Sequence, residues 1–435
     1  MSTALLSLRS SLCRLLVVSS CLLGFGAAAA SAAEAPLQEL QSQNRDLRVQ
    51  LEAQQKQLDE LRTQMNRLAG IQESAGSTPA AGSSARSDRK LILSGEVGLA
   101  FFASGSDGRY PKQEFRVDDA NIRLEAAVAN NTFFFGELQL SKHEAADEAF
   151  HLGEFYVDFE NVSGLLGGPD RLVNVRFGRF DIPFGEEYLL RDPLANPLIT
   201  HSLSDVWGTD EGVELYGEFG RTSYAFAIQN GSTKTMHDYN ADKALTLRVG
   251  YDVLPQLHVS ASVMRTGELA SALEPTSEVW FGNVVFRNIS SSRSTTHQAN
   301  LAEVDATYRW KTGHLWLGGG KARYTDNDPL ADNTTKFTYF QAEAVQSIGR
   351  GFYAAARFST LRTGQGYPIA GIGNLVKYFL TSLQTKELQR LSVGGGYRFN
   401  SSLVIKTDYT SESATLTTGK SRDNHLFSFE TAIGF

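Results

Sequence analysis

Alternation of apolar and polar side chains from residue 91 to residue 435 is the sequence feature that most limits how this chain can fold. In LILSGEVGLAF (91–101) the large apolar residues fall mainly on one face of a strand, and Ser94, Glu96 and Gly98 fall on the other. The same period of two recurs in NIRLEAAV (121–128), GVELYGEF (212–219), FYAAARFS (352–359) and HLFSFETAIGF (425–435). Because successive side chains of a β-strand point to opposite faces, this region is predicted to be all-β.

The spacing of the alternating runs predicts about sixteen strands. Their expected starts lie near residues 91, 115, 132, 150, 171, 212, 223, 245, 257, 298, 313, 337, 351, 388, 401 and 425. Pattern reading locates a boundary only within about two to four residues, so counts of fourteen and eighteen stay open. Tight connections, as at 129–131 and 399–401, occur beside long ones around 183–211, 268–297 and 364–387. Short turns at one rim and long loops at the other are typical of outer-membrane barrels.

The polarity of the two faces distinguishes a membrane barrel from a soluble β-sandwich. One set of faces is rich in Leu, Val, Phe and Tyr, whereas the opposite faces carry Arg, Glu, Asp, Ser and Gly. A polar interior under an apolar exterior is typical of a transmembrane antiparallel β-barrel. The chain also ends in Phe435, with Ile433, Phe429 and Phe427 on the same face, which resembles the C-terminal assembly signal of such barrels. Residues 91–435 are therefore predicted to form an outer-membrane β-barrel.

The N-terminal segment has the composition of an export signal. Arg9 and Arg14 precede an apolar run from residue 15 to residue 30, and the small residues 30–32 suit signal peptidase. Residues 1–32 are therefore predicted to be a signal peptide. Two alternatives stay open: lipidation of Cys21, although the apolar run continues past it, and a retained transmembrane anchor, although the run is short.

A seven-residue repeat runs from Leu37 to Leu68. Eight of its ten a and d positions are apolar, and Asn44 and Gln54 occupy the other two. This narrow seam predicts a short α-helical coiled coil over 33–69, and therefore an oligomer, with an amphipathic helix packed on its own barrel as the alternative. Residues 70–90 are small and polar and contain Gly and Pro, which predicts a flexible linker.

Composition and motifs argue against several classes of function. A formal net charge of −7 without a Lys/Arg cluster argues against a nucleic-acid binder. Both cysteines, Cys13 and Cys21, lie in the signal segment, so the remainder has no thiol for a disulfide, a zinc site or a nucleophile. The eight histidines show no metal-ligand spacing. In the triplet 200–202, neighbouring Ser and His residues on a strand would face opposite ways. We therefore predict no enzymatic activity, no cofactor and no metal.

Charged residues on the polar faces form the candidate functional site. The loop 183–211 has apolar residues, among them Leu190 and Leu198, that are unusual for a loop in solvent, so it is expected to pack inside the barrel and narrow the channel. The candidate pore-lining or constriction residues are Arg123, Glu125, Arg176, Arg179, Glu186, Glu187, Arg191, Asp192, Arg248, Arg309, Arg357, Arg390, Arg398 and Lys406. For any single residue, the alternative is an ion pair that braces the wall. As a set they predict a charged, water-filled lumen.

Several short runs carry a family resemblance. They are GRFDIPFG (178–185), FRVDDANIRLEA (115–126), EFYVDFE (154–160), DEGV (210–213) and the terminal Phe435. With these runs the chain resembles the phosphate-selective porin O and P family of Gram-negative outer membranes, in the subgroup that bears an N-terminal coiled coil. The resemblance implies a sixteen-stranded barrel, a homotrimer, a loop after the fifth strand folded into the pore, and passage of small, often anionic, solutes. It also assigns Arg123, Arg179 and the loop 183–211 to the pore region.

Two departures from the family pattern concern selectivity. Asp118 and Asp119 stand where relatives often place consecutive arginines, and residues 91–435 contain 31 Lys and Arg against 40 Asp and Glu. Neither feature supports phosphate selectivity, although net charge does not define the local field in a constriction.

The leading hypothesis is a homotrimeric porin for passive, mildly selective diffusion of small hydrophilic solutes, including anionic ones, embedded in outer-membrane lipid with a periplasmic N-terminal segment. Arg176, Arg179 and Arg191 are the basic residues expected to set its ion selectivity. One alternative is a structural tether, in which the coiled coil contacts the periplasm or the cell wall. A barrel enzyme is a further alternative, for which the sequence offers no motif.

Overall fold

A computed structural model describes residues 91–106, 108, 110–141, 151–203, 206, 208–231, 238–271, 293–368 and 384–435, with the side chains of 365–368 and 384 left aside. The predicted signal peptide (1–32), coiled coil (33–69) and linker (70–90) lie outside the described residues and stay predictions. Within the described residues, no helix is both long and apolar enough to cross a membrane.

Sixteen long strands and one two-residue strand make up the sheet. They are β1 (Leu91–Ser104), β2 (Glu114–Ala129), β3 (Thr132–Ser141), β4 (His151–Phe159), β5 (Asn174–Asp181), β6 (Thr209–Phe219), β7 (Thr222–Gln229), β8 (Ala244–Leu254), β9 (Leu257–Arg265), β10 (Leu269–Ala270), β11 (Thr296–Trp310), β12 (Gly313–Asp326), β13 (Thr335–Gly349), β14 (Phe352–Pro368), β15 (Gln384–Asn400), β16 (Leu403–Leu416) and β17 (Ser421–Gly434). Two short helices, α1 (Val162–Leu165) and the 3-10 helix Glu187–Leu190, lie between strands. Each of the sixteen expected strand starts falls within about four residues of an observed one, the margin that pattern reading allows.

The strands form a closed antiparallel barrel. Each long strand pairs with its neighbours in sequence, β9 pairs with β11, and β1 pairs with both β2 and β17. At the seam, Glu96 lies opposite Gly434 and Phe101 opposite Phe429. The C-terminal residue extends this pairing, because Phe435 and Gly95 exchange two backbone hydrogen bonds of 3.1 Å. Closure leaves no unpaired edge strand, which is what a sheet within a hydrocarbon layer requires.

The two rims differ in the length of their connections. At one rim, six hairpins have two-residue turns: 130–131, 220–221, 255–256, 311–312, 350–351 and 401–402. Several of these turns need a left-handed backbone, which Asn131 (φ 54°) and Gly220 (φ 62°) adopt at low cost. The opposite rim carries the long connections, among them the segment 182–208 between β5 and β6. We call these the short-turn rim and the long-loop rim.

Apolar side chains point outward and charged ones point into the barrel, as the sequence predicts. Outward side chains such as Leu99, Phe177 and Val304 are exposed, and inward ones such as Glu343 and Lys406 are buried. An apolar exterior around a charged interior is the inverse of a soluble barrel and matches a lipid-facing surface.

Candidate functional site

The segment 182–208, which we call the inner loop, folds into the barrel. Its residues Leu198, Ile199 and Leu203 are at most 2% exposed. Phe184 and Leu203 belong to an apolar cluster that includes the inward wall residues Leu301 and Leu361. The predicted loop, 183–211, extends three residues too far, because Thr209, Asp210 and Glu211 pair with β5 as the start of β6. Their polar side chains resemble a loop in sequence although their backbone belongs to the ladder.

Lys406 on β16 is the main anchor of the inner loop. Its ammonium donates to the backbone carbonyls of Pro193 (2.7 Å), Asn196 (3.1 Å) and Leu198 (2.9 Å). It also forms an ion pair of 3.1 Å with Glu430 on β17, and both residues are 2% exposed. One buried cation therefore satisfies three carbonyls that would otherwise lack partners inside the barrel.

Three arginines extend the anchoring along β14 and β15. Arg357 pairs with Glu343 and donates to the Asn196 side-chain oxygen at 3.0 Å and to the Thr200 carbonyl. Arg390 pairs with Glu412 and donates to the His201 carbonyl at 3.0 Å. Arg398 donates to the Leu194 carbonyl at 3.0 Å. Four cations of the barrel wall thus donate hydrogen bonds to the inner loop: Lys406, Arg357, Arg390 and Arg398.

Carboxylates accept hydrogen bonds from the N–H groups of the inner loop. Asp408 Oδ2 accepts from the backbone N–H of Ile199 (2.9 Å) and Thr200 (3.1 Å), and Glu96 accepts from the N–H of Leu194. Within the loop, Glu187 accepts from the backbone N–H and the hydroxyl of Ser202. The wall from β14 through β17 to β1 therefore fixes one side of the inner loop by both its donors and its acceptors.

The other side of the inner loop faces open space. A first cavity of about 430 Å³ is lined by Arg123, Arg191, Asp192 and their neighbours on β1 to β6. A second, of about 480 Å³, is lined by Arg176, Arg248 and their neighbours on β4 to β8. Both include Tyr188 and Leu189 of the inner loop, so the two cavities adjoin. Burial raises the pKa of the Tyr188 phenol above its ordinary value.

Acidic groups outnumber basic ones along these two cavities. The lining carboxylates are Asp119, Glu125, Glu137, Glu154, Glu160, Asp181, Asp192, Glu214 and Glu218, and the lining guanidinium groups belong to Arg123, Arg171, Arg176, Arg191 and Arg248. Among the described lining residues, nine formal negative charges stand against five positive ones, so this part of the lining is net negative.

Several of the arginines are held rigidly. Arg123 bridges wall and loop, pairing with Glu137 at 2.8 Å and with Asp192 at 2.7 Å. Arg176 pairs with Asp158 (3.2 Å) and Glu214 (3.0 Å). These ion pairs hold the guanidinium groups of Arg123 and Arg176 in fixed positions on the cavity walls.

The structure separates the fourteen sequence-predicted residues into groups. Arg123, Glu125, Arg176, Arg191, Asp192 and Arg248 line the two cavities. Glu186 pairs with Arg248 at 2.8 Å, and Glu187 is buried within the inner loop. Arg357, Arg390 and Lys406 are buried beneath the loop, and Arg398 lines a third cavity described below. Arg309 is exposed near the end of β11.

Arg179 differs from the other predicted arginines. It pairs with Glu211 at 3.0 Å, is 9% exposed and lies outside the linings of both cavities. Gly178 stands between Arg176 and Arg179 with φ 140°, so β5 is irregular there, and Asp181, five residues after Arg176, lines the second cavity together with it.

Two aromatic residues of the site were not among the predicted ones. Tyr156 and Tyr216 lie on either side of the Arg176 guanidinium, with ring centroids 4.3 Å and 5.1 Å from it. Their signal in the sequence was their even spacing from Glu154 and Glu214, which puts them on the polar faces of β4 and β6. Stacking on two rings fixes the guanidinium more tightly than ion pairs alone would.

Comparisons with known proteins concern the fold. No family model and no curated protein matches the sequence. Among solved structures, the barrel is similar to the outer membrane protein OmpT of Vibrio cholerae, described in its trimer form, with 11% identity over 80% of this chain and 99% of that one and a TM-score of 0.53. It is also similar to the outer membrane channel DcaP of Acinetobacter baumannii (11% identity, 82% and 100% coverage, TM-score 0.53) and to the anion-selective porin from Comamonas acidovorans (10% identity, 80% and 100% coverage, TM-score 0.53). These likenesses give the chain the closed-barrel fold of outer-membrane channels.

Proposed function

We propose that this chain is a porin in the outer membrane of a Gram-negative bacterium, through which small hydrophilic solutes diffuse passively. The inner loop carries this proposal, because the wall holds it inside the barrel on one side and leaves adjoining charged cavities on the other. A barrel that served only as an anchor would not need a loop fixed at this depth. The fold of the neighbouring channels is further support.

Mild ion selectivity follows from the lining of the cavities. Nine carboxylates against five guanidinium groups favour cations in the space that the first and second cavities form. Membership of the phosphate-selective porin O and P family stays a proposal that rests on the sequence runs given above. The acidic lining does not support phosphate selectivity for this chain.

Purified protein in planar bilayers tests the channel. We expect discrete conductance steps. In a tenfold KCl gradient, we expect a reversal potential whose sign shows that K⁺ permeates better than Cl⁻, because the lining is net acidic. Heat-modifiable migration in gel electrophoresis serves as the control for a folded barrel. Folded barrels without conductance steps would overturn the proposed function, and an anion-side potential would overturn the assignment of the conducting path to these two cavities.

Assembly is proposed to be a homotrimer that residues 33–69 reinforce without creating. The basis is the heptad seam and the flexible linker in the sequence, which together would raise the local concentration of helices below a trimeric barrel. We expect a protein lacking residues 33–88 to remain trimeric in detergent, as measured by light scattering. A monomer after the deletion would show that the coiled coil is required, and a monomeric full-length protein would refute the trimer itself.

The remaining alternatives have weaker support. A tether to the periplasm or cell wall depends on residues 33–69, which lie outside the described residues, and it stays a prediction. The Ser202 hydroxyl donates to Glu187, which gives a barrel enzyme built on the His201 and Ser202 pair no support.

A further inference from the structure

A third cavity lies on the side of the inner loop away from the first two. It has a volume of about 430 Å³ and extends along β12 to β15 to residues of the short-turn rim, including Thr312, Gly351 and Asn400. The inner loop contributes Leu190, Ala195 and Pro197 to its lining. We call this space the chamber. Its volume lies within the range of small-molecule sites.

The chamber has apolar walls. Val345 on β13 and Tyr353 on β14 face Leu190 and Pro197 of the inner loop across it. The Tyr353 hydroxyl donates to the Pro197 carbonyl at 3.1 Å, so the polar end of this side chain is satisfied. The ring and the neighbouring aliphatic groups are then available to an apolar body.

One cation of the chamber differs from the other anchors of the loop. Arg357, Arg390 and Lys406 each pair with a carboxylate. Arg398 bonds the Leu194 carbonyl through one nitrogen, and among the described residues no carboxylate oxygen lies within 4.0 Å of its guanidinium. A guanidinium has five N–H donors, so most of those of Arg398 remain for a ligand.

The other titratable groups of the chamber include Glu343 and His314, and His314 Nε2 lies 3.4 Å from a Glu343 carboxylate oxygen. Glu343 is the one carboxylate among the described residues that line it, and Arg357 neutralises Glu343 from the buried side. His314 also lines the chamber, and its register partner on β11 is Arg309, an exposed residue without a carboxylate partner in the described part of the chain. Among the described residues that line the chamber, Arg398 is thus the one cation without a carboxylate partner.

From this geometry we propose that the chamber binds a small monocarboxylate with an apolar body. The carboxylate pairs with Arg398, which can accept a bidentate anion, and the body packs on Val345, Leu190 and Pro197. The proposal rests on the proposed channel only for how the ligand reaches the chamber, because binding itself needs no conduction. Arg398 would then give the chamber specificity for a carboxylate, although the net charge of the barrel is negative.

Ligand-observed NMR titrations of the full-length protein in detergent test the binding. Benzoate is the probe, benzamide is its uncharged match, and acetate has the charge without the apolar body. We expect benzoate to bind at least about tenfold more tightly than either, which corresponds to about 1.4 kcal/mol. Equal affinities for benzoate and benzamide would show that Arg398 does not contribute to binding. Equal affinities for benzoate and acetate would show that the apolar walls do not contribute.

Variants locate the site. Arg398→Gln is expected to weaken benzoate binding about tenfold, whereas Arg398→Lys, which keeps the charge and a donor for the Leu194 carbonyl, should retain most of it. Ala195→Trp should fill the chamber and abolish binding. Its matched control is Leu189→Trp on the opposite face of the same loop, which should lower conductance through the other cavities and leave benzoate binding unchanged.

The outcomes separate this proposal from the channel. Benzoate binding that survives Ala195→Trp would overturn the chamber as the site, whatever the conductance of that variant. Loss of binding in Leu189→Trp but not in Ala195→Trp would place the ligand in the first two cavities and would also overturn it. Absent conductance with intact, Arg398-dependent binding would leave the chamber standing and overturn the proposed function instead.

Discussion

Replacing Lys406 by Met and Glu430 by Gln together is expected to raise the single-channel conductance roughly twofold or more, because the inner loop would leave the lumen and widen it. Lys406 donates to three loop carbonyls, and a hydrogen bond to a charged group contributes about 1.5–3 kcal/mol. Without these three hydrogen bonds the loop is held by Arg357, Arg390 and Arg398 and by the carboxylates of Asp408 and Glu96, so we expect it to leave the lumen more often. Removing Glu430 in the same variant avoids an unpaired buried carboxylate, whose cost would affect the whole barrel.

The exposed pair Arg362 and Glu387 provides the matched control. Their side chains form an ion pair of 2.8 Å, and the Arg362 side chain is 62% exposed, so exchanging both for Met and Gln should leave conductance unchanged. Bilayer recordings of both double variants, with proteolysis at the inner loop as a second readout, check the prediction. Native conductance and native protease resistance in the Lys406 variant would show that the other anchors hold the loop without it.

The strands were predictable because their pattern is local. Alternation needs only neighbouring residues, so the starts of β1, β3, β9 and β12 could be predicted at the observed residue. Burial of the inner loop was predictable for the same reason, since its leucines are too apolar for solvent. The end of that loop was not, because Asp210 and Glu211 join the ladder only through their pairing with β5.

The role of Lys406 could not be predicted from its strand. Its inward direction follows from alternation, and it was therefore placed among the pore-lining residues. Its partners, however, are backbone carbonyls, the first of them 213 residues earlier in the chain at Pro193. The position of the inner loop across the lumen decides whether an inward-facing cation contacts water or binds the loop. That position is a property of the closed barrel and has no counterpart in local sequence.

Arg176 and Arg179 differ in a way that the local sequence does not predict. Their position just before the inner loop predicts a role in ion selectivity for both. Only Arg176 lines a cavity, whereas Arg179 pairs with Glu211 away from both linings. Gly178 lies between them with φ 140°, and this irregularity of β5 is not predictable from alternation.

Because Arg176 lines a cavity and Arg179 does not, replacing the lining arginines should change ion selectivity strongly. Arg176→Ala and Arg191→Ala are each expected to shift the reversal potential towards cations, by on the order of 10 mV of the ~59 mV that ideal selectivity gives in a tenfold gradient. Removing Arg176 leaves Asp158 and Glu214 without their common partner at the edge of the second cavity. The low-dielectric wall concentrates the field of those two carboxylates in the passage, so cations gain over anions.

Arg179→Ala is the matched control for both variants, since it removes the same charge from the same strand as Arg176. Its reversal potential should stay at the native value, as should that of Lys243→Ala, whose side chain pairs with Asp238 near the long-loop rim. Recordings must be made on variants with native heat-modifiable migration, because Arg176 also braces the wall between Tyr156 and Tyr216. If Arg179→Ala shifts the potential as much as Arg176→Ala, the charge acts through the overall field of the barrel. Selectivity would then not be set at the cavity walls, since a local filter must distinguish a lining arginine from one three residues away on the same strand.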